Sequence, residues 1–281
     1  MNELENQVMI MNLSISVFTG EKIDRDVSDT IAATHHTTAH EAGRFSKQII
    51  GKQALKGIKS FATVARTTHY DRTLPYSDNG GRLLSVTGFM DYTTSMRGIR
   101  ANFVREVDIF CDVYPRLIED AKTRLNGMFN VDDYPPIDSL RGRFSFEIAA
   151  EPMPSSKNWF LEMADDTMQH LRAHHDERKD AKLEHAIKDV YRRVADVAQK
   201  MATKLDDKDG VFRDSLITNI SELANLLPTL NITNDPQLAQ IASDLAALTA
   251  HSPDALRADP TYRTDAAAKA QAVYDKASLF M

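Results

Sequence analysis

Through most of this 281-residue chain apolar residues recur at a spacing near 3.6, and at a spacing of 2 in only two short segments. A period near 3.6 puts one face of a helix against a core, whereas a period of 2 belongs to a half-buried strand. Asn12–Thr19 (NLSISVFT) alternates Leu13, Ile15 and Val17 with polar residues and then meets Gly20. Arg143–Ala150 (RFSFEIAA) alternates Phe144, Phe146 and Ile148 and is the natural partner strand, stopped by Pro152 and Pro154. Helical spacing covers 38–67, 88–126, 160–204, 211–227, 236–250 and 265–278. Asp235-Pro236 and Ser252-Pro253 read as N-caps followed by proline at the first helical position. Pro115 is expected to kink or divide the second helical tract, and Gly127 to end it. The expected fold is therefore α+β, helix-dominated, with a small antiparallel β-sheet. Residues 68–86, with Pro75 and Asp78-Asn79-Gly80-Gly81, read as turns.

No apolar run has the length of a membrane span. The opening MNELENQVMI is polar and acidic, unlike a signal peptide, and Met9 and Met11 make the first ten residues doubtful as structure. The single cysteine, Cys111, excludes an intrachain disulfide and a multi-cysteine zinc site, and fits a cytoplasmic protein. It lies in an apolar helical pattern, where a small buried hydrophobe is expected. The proline-rich stretch 151–156 is the expected boundary between a basic α/β part, 1–155, and an acidic helical part, 156–281, suited to interaction or oligomerisation.

Charge is distributed unevenly. The whole chain is −6, yet residues 41–105 hold eleven Lys or Arg against four Asp or Glu. Within the tract 38–67, Lys52, Lys56, Lys59 and Arg66 fall opposite the apolar side formed by Ile50, Ala54, Ile58, Phe61, Val64 and Ala65, with Arg44 at the margin. Cations in a row can follow a phosphate backbone. The segment 66–82, read as a loop, adds His69, Tyr70, Arg72, Tyr76 and Arg82, and Arg97 and Arg100 share a face of the next helix. Cations interleaved with flat rings suit unpaired strands, whose bases stack on π-faces. These twelve residues are the expected nucleic-acid-binding set.

Other motifs fail on spacing. His36 and His40, and His170 and His174, are each four apart, which would allow a Zn²⁺ site. However, HHTTAHE has its glutamate after the second histidine, unlike HExxH. Gly51-Lys52 lacks the P-loop frame, and no GxSxG, kinase or dinucleotide signature occurs. A binding protein without catalysis or cofactor is expected. The rivals are a helical adaptor for an AAA+ machine and a metal-dependent hydrolase using the histidine pairs.

The blocks ARTTHYDRTLPYSDNGGRLL (65–84), FVREVDIFCDVYPRLIEDAKTRLNGMFNVDDYP (103–135) and FSFEIAAEPMP (144–154) resemble phage proteins. Taken together they make the chain similar to the Drc-like single-stranded-DNA-binding RNA polymerase cofactors of podoviruses. The resemblance spans roughly 40–155 and implies a fold unlike the OB barrel. It also implies single-stranded DNA binding without strong sequence choice and assistance to a phage RNA polymerase in the host cytoplasm. It assigns no individual residue. A homo-oligomer is expected, because the apolar positions of 205–281 (Leu216, Ile220, Leu223, Leu227, Leu238, Ile241, Leu245, Leu248) need a partner, either within the chain, in another copy or on a polymerase.

Overall fold

In a computed structural model, which describes residues 4–77, 79–154, 165–207 and 210–281, the chain is 69% helical. Helix α1 (Leu4–Gln7) leads into strand β1 (Val8–Ser16), followed by β2 (Glu21–Ile23), α2 (Arg25–Thr34), α3 (Ala39–Ala42) and β3 (Ser46–Gln48). A 3-10 turn, Lys52–Leu55, opens α4 (Lys56–Arg72). Then come β4 (Leu74–Pro75), β5 (Arg82–Ser85), α5 (Phe89–Leu125), α6 (Ile137–Arg141) and β6 (Ser145–Pro152). Helices α7 (Asp165–Asp206), α8 (Ser215–Leu230), α9 (Pro236–Leu248), α10 (Pro253–Ala258) and α11 (Pro260–Ser278) follow. The antiparallel four-stranded sheet has the order β4-β5-β1-β6, and β2 and β3 pair separately. Neither sheet closes into a barrel among the described residues. The fold is α+β and helix-dominated, and the two expected strands are neighbours in the larger sheet.

Several local expectations change. The first strand begins at Val8, because Val8, Ile10 and Met11 are buried and pair with β5 in the register Val8↔Ser85 to Met11↔Arg82. The tract 38–67 is not one helix. Gly43 adopts φ +85° after α3, a conformation open to glycine. Residues 46–48 then pair with β2 (Glu21↔Gln48), and the Gln48 side chain donates to the Ile50 carbonyl at 2.8 Å. Tertiary pairing overrides the helical spacing there. Conversely, α4 runs on to Arg72, through residues read as a loop. The turn signal at Asn79-Gly80 closes a hairpin between β4 and β5 (Leu74↔Leu83), with Gly80 at φ +89°; Asp78 lies outside the described residues. Pro115 does not divide α5, which continues to Leu125. The caps at Ser252 and Asp235 form as expected, each accepting from a backbone N–H in the first turn. Of the expected helix 160–204 and the stretch 151–156, residues 155–164 lie outside the described residues.

The chain forms two compact units, each assembled from separated stretches. One comprises 13–68 and 93–148. Its core sets Phe103, Phe110 and Tyr114 of α5 with Phe144 and Phe146, with ring centroids 5.6 Å (Phe103–Phe146) and 5.7 Å (Phe110–Phe144) apart. Cys111 is buried there, and burial pushes its thiol pKa up. Lys47 is 7% exposed and bridges Asp24 and Asp133, each at 2.8 Å, and the Met128 carbonyl at 3.0 Å.

The other unit comprises 4–12, 69–92, 149–154 and the described residues from 165 on. Its core joins Val8, Ile10, Leu74 and Leu83 to the apolar faces of α7, α8, α9 and α11. The apolar positions of 205–281 are spent here: Ile220, Leu227, Leu238, Ile241, Leu245 and Leu248 are buried, and Leu216 and Leu223 pack against them. Arg263 donates to the carbonyls of Lys204, Leu205, Asp207 and Gly210, closing the C-terminal end of α7.

Candidate nucleic-acid interface

Helix α4 carries most of the expected set. Leu55, at the end of the 3-10 turn, and Ile58, Ala62, Ala65 and His69 are buried. Lys56, Lys59, Thr63, Arg66 and Tyr70 are exposed and follow one another at intervals of three and four, so they form a single row along the helix. Lys52 is exposed one turn earlier. Gly57, outside this row, allows the Glu106 side chain to cross the helix, since a β-carbon there would lie 2.1 Å from its Oε2.

Ion pairing divides the cations of the described residues into a paired and an unpaired group, and this row belongs to the unpaired one. In α7, α10 and α11 several cations meet carboxylates, Lys188 with Glu184, Arg193 with Asp189, Arg257 with Asp254, Lys269 with Asp265 and Lys276 with Asp244, while Lys200, Lys204 and Arg263 join no ion pair among the described residues. Among the described residues Lys52, Lys56, Lys59 and Arg66 join no ion pair, and neither do Arg97 and Arg100. Arg66 donates to the Ile15 carbonyl at 3.2 Å and remains exposed.

The aromatic members divide. His69 is 3% exposed, and its Nδ1 shares a 2.8 Å hydrogen bond with the Tyr92 hydroxyl. Burial, reinforced by the charge of Arg82, brings its pKa down to about 4, and burial raises that of Tyr92 to about 12. His69 is thus a neutral core residue with no face for a base, contrary to its expected role. Tyr76 is half-buried against the apolar core, with Lys182 5.0 Å from its ring centre, so it packs rather than offering a platform. Tyr70 remains 54% exposed, with the Arg82 guanidinium 4.6 Å over its ring.

Three arginines sit elsewhere. Arg72, off the α4 row, lines a cavity of about 170 Å³ with Leu84, Asp91 and Asn225. Arg44 lies after α3, not on a helix, where it lines a cleft of about 1180 Å³ with Asp24, Arg25, Lys47 and Asp133. Arg97 and Arg100 are exposed on α5, and no hydrogen bond or ion pair joins them to the α4 row among the described residues. Lys47, part of the basic segment by sequence, is withdrawn into the buried bridge described above.

Reading the sequence missed Arg193 of α7. It donates to the carbonyls of Asp71 at 3.1 Å and Thr73 at 3.0 Å, at the end of α4. In the sequence it is one more charge in an acidic helical stretch, and no local pattern ties it to residue 73.

The two histidine pairs differ in setting, and His170 and His174 lie one turn apart on α7. His36 has φ +53° in the turn before α3, and His40 lies on α3, so the two share no helix face. Among the described residues no group of three or more His, Cys, Asp or Glu is placed to hold a metal ion. No described helix is long and apolar enough to cross a membrane. Compared with protein-family models, curated proteins and solved structures, the chain matches none of them.

Proposed function

We propose that this protein binds single-stranded DNA without strong sequence choice and acts by binding rather than by catalysis. The observation that carries the reading is the unpaired row Lys56, Lys59 and Arg66, with Lys52 before it, on a protein whose net charge is −6. Cations not already neutralised by carboxylates can neutralise phosphates, and the counterions condensed on the strand are then released with a gain in entropy. The row ends on the exposed ring of Tyr70, which supports an unpaired strand, since a duplex hides its base faces. Service to a phage RNA polymerase and self-association belong to the same proposal, on the resemblance noted above.

The test is binding of labelled poly-dT across a salt series. The logarithm of affinity should fall with the logarithm of salt at a slope of about −0.7 for each phosphate neutralised. Replacing Lys52, Lys56, Lys59 and Arg66 together by alanine should flatten that slope and leave the circular dichroism spectrum unchanged, because all four are exposed. Affinity of the parent that does not vary with salt overturns the proposal.

A further inference from the structure

The C-terminal end of α4 is held by two arginines from distant parts of the sequence. Arg82 of β5 donates from Nε to Thr73 Oγ1 at 2.7 Å and from Nη2 to the Thr73 carbonyl at 2.9 Å. The plane of its guanidinium is thereby fixed over the Tyr70 ring, 4.6 Å from its centre. Arg193 reaches the same Thr73 carbonyl through Nη2 at 3.0 Å, and its Nε is anchored on Asp189 at 2.8 Å. Asp189 is 6% exposed and also pairs with Arg192, so its charge is shared between two guanidinium groups. Two positive groups therefore converge on one neutral carbonyl. Nη1 of Arg82 makes no hydrogen bond among the described residues, so two N–H donors of a rigidly held guanidinium are left over.

We propose that Tyr70 and Arg82 form a subsite for one nucleotide of a single strand, with Arg193 as the positioning residue. The nucleobase stacks on the Tyr70 ring, opposite Arg82, and Nη1 of Arg82 donates to that nucleotide's phosphate. A cation held against one face of an aromatic ring and a base on the other is a sequence-tolerant arrangement, because every base has a π-face. Arg193 acts through the Thr73 carbonyl, which its hydrogen bond holds in the position that Arg82 shares. Helix α7, in the acidic part of the sequence, thus contributes to the interface without touching the strand. Burial, and then the neighbouring Arg193, lower the pKa of Arg82, and Asp189 and Asp71 offset this only in part. An arriving phosphate adds to that opposing charge.

This inference rests on the single-stranded reading, and the experiment separates the two. Full-length protein is irradiated with a dT oligonucleotide carrying one 5-iodo-deoxyuridine, and the crosslinked residue is identified by mass spectrometry. Poly-dT salt series are run in parallel. The crosslink should fall on Tyr70. Tyr70→Ala should bind about tenfold more weakly at an unchanged salt slope, and Tyr70→Phe should bind like the parent. Arg82→Gln should weaken binding and lower the slope by about 0.7, the share of one phosphate. Arg193→Gln should reproduce the slope change of Arg82→Gln, which a merely structural role would not do. Parental affinity in Tyr70→Ala, together with a crosslink elsewhere, overturns the subsite and leaves the function of the α4 row standing. A parent that binds no poly-dT at low salt overturns both.

Discussion

At the scale of single residues, two buried polar groups control stability more than any exposed charge. His69 is neutral in the fold with a pKa near 4, against an ordinary value of 6.5. Below pH 6.5 the unfolded imidazole takes up a proton that the folded one refuses until about pH 4. Its contribution is therefore constant above pH 6.5 and is lost as pH falls from 6.5 toward 4. Thermal unfolding followed against pH should show this decline, and His69→Gln should lose the part between pH 6.5 and about 5, above the range where carboxylates titrate. Lys47 poses the opposite case. Burial disfavours its charge, but Asp133 and Asp24 more than offset this and its pKa is raised. Lys47→Ala leaves two facing carboxylates without their shared counter-charge and should lose about 3–5 kcal/mol in urea unfolding. Asp24→Asn should lose less, because asparagine still caps α2 and Asp133 still holds the lysine.

At the scale of elements, long helices tolerate local faults when their faces are well buried. Pro115 sits inside α5 with no N–H to offer the Cys111 carbonyl, yet Phe110, Cys111, Tyr114 and Ala121 are buried on either side of it. Pro115 itself is exposed, so no packing depends on its ring. Pro115→Ala should restore the missing hydrogen bond and raise stability by about 1–3 kcal/mol, read as a higher melting temperature. An unchanged or lower value would mean that α5 depends on the bend or rigidity proline imposes. Helix α4 shows how an element acquires a function-bearing surface. Its buried face follows Ile58, Ala62, Ala65 and His69, which confines the lysines and Arg66 to solvent. The exposure of Lys56, Lys59 and Arg66 was legible from the sequence, whereas Val64, expected on the apolar side, is 44% exposed, His69 is buried, and the start at Lys56 and end at Arg72 were not foreseen.

At the scale of the whole molecule, the C-terminal helices are structural members. The cluster that buries Val8, Ile10, Leu74 and Leu83 also contains Ile220, Leu227, Leu245 and Val273. Removing 205–281 would expose that cluster and leave α7 without α8, α9 and α11. The truncated chain should therefore lose cooperative melting of the unit containing 69–92 and 165–204, seen as reduced helical ellipticity and a broadened thermal transition. A truncated chain with a sharp melt and full helicity per residue would show that these helices pack onto a core able to stand without them. The same reasoning answers what the apolar positions of 205–281 face: this chain supplies their partners, so a self-association surface must use other residues.

Local pattern was enough for the α+β class, the two principal strands, the caps at Asp235 and Ser252, and the basic face of α4. Each depends on periodicity or on neighbours within a few residues, which is information the sequence holds explicitly. Tertiary structure decided the rest. Polar segments at 21–23 and 46–48 became strands only because they pair with each other. Lys47 left the basic surface because Asp24 and Asp133 surround it. His69 and Tyr76 look like Tyr70 in the sequence, yet Tyr92 and the core around Lys182 claim them, while Tyr70 stays open under Arg82. Whether a ring or a charge faces solvent depends on groups tens to more than a hundred residues away, and no spacing along the chain encodes that distance.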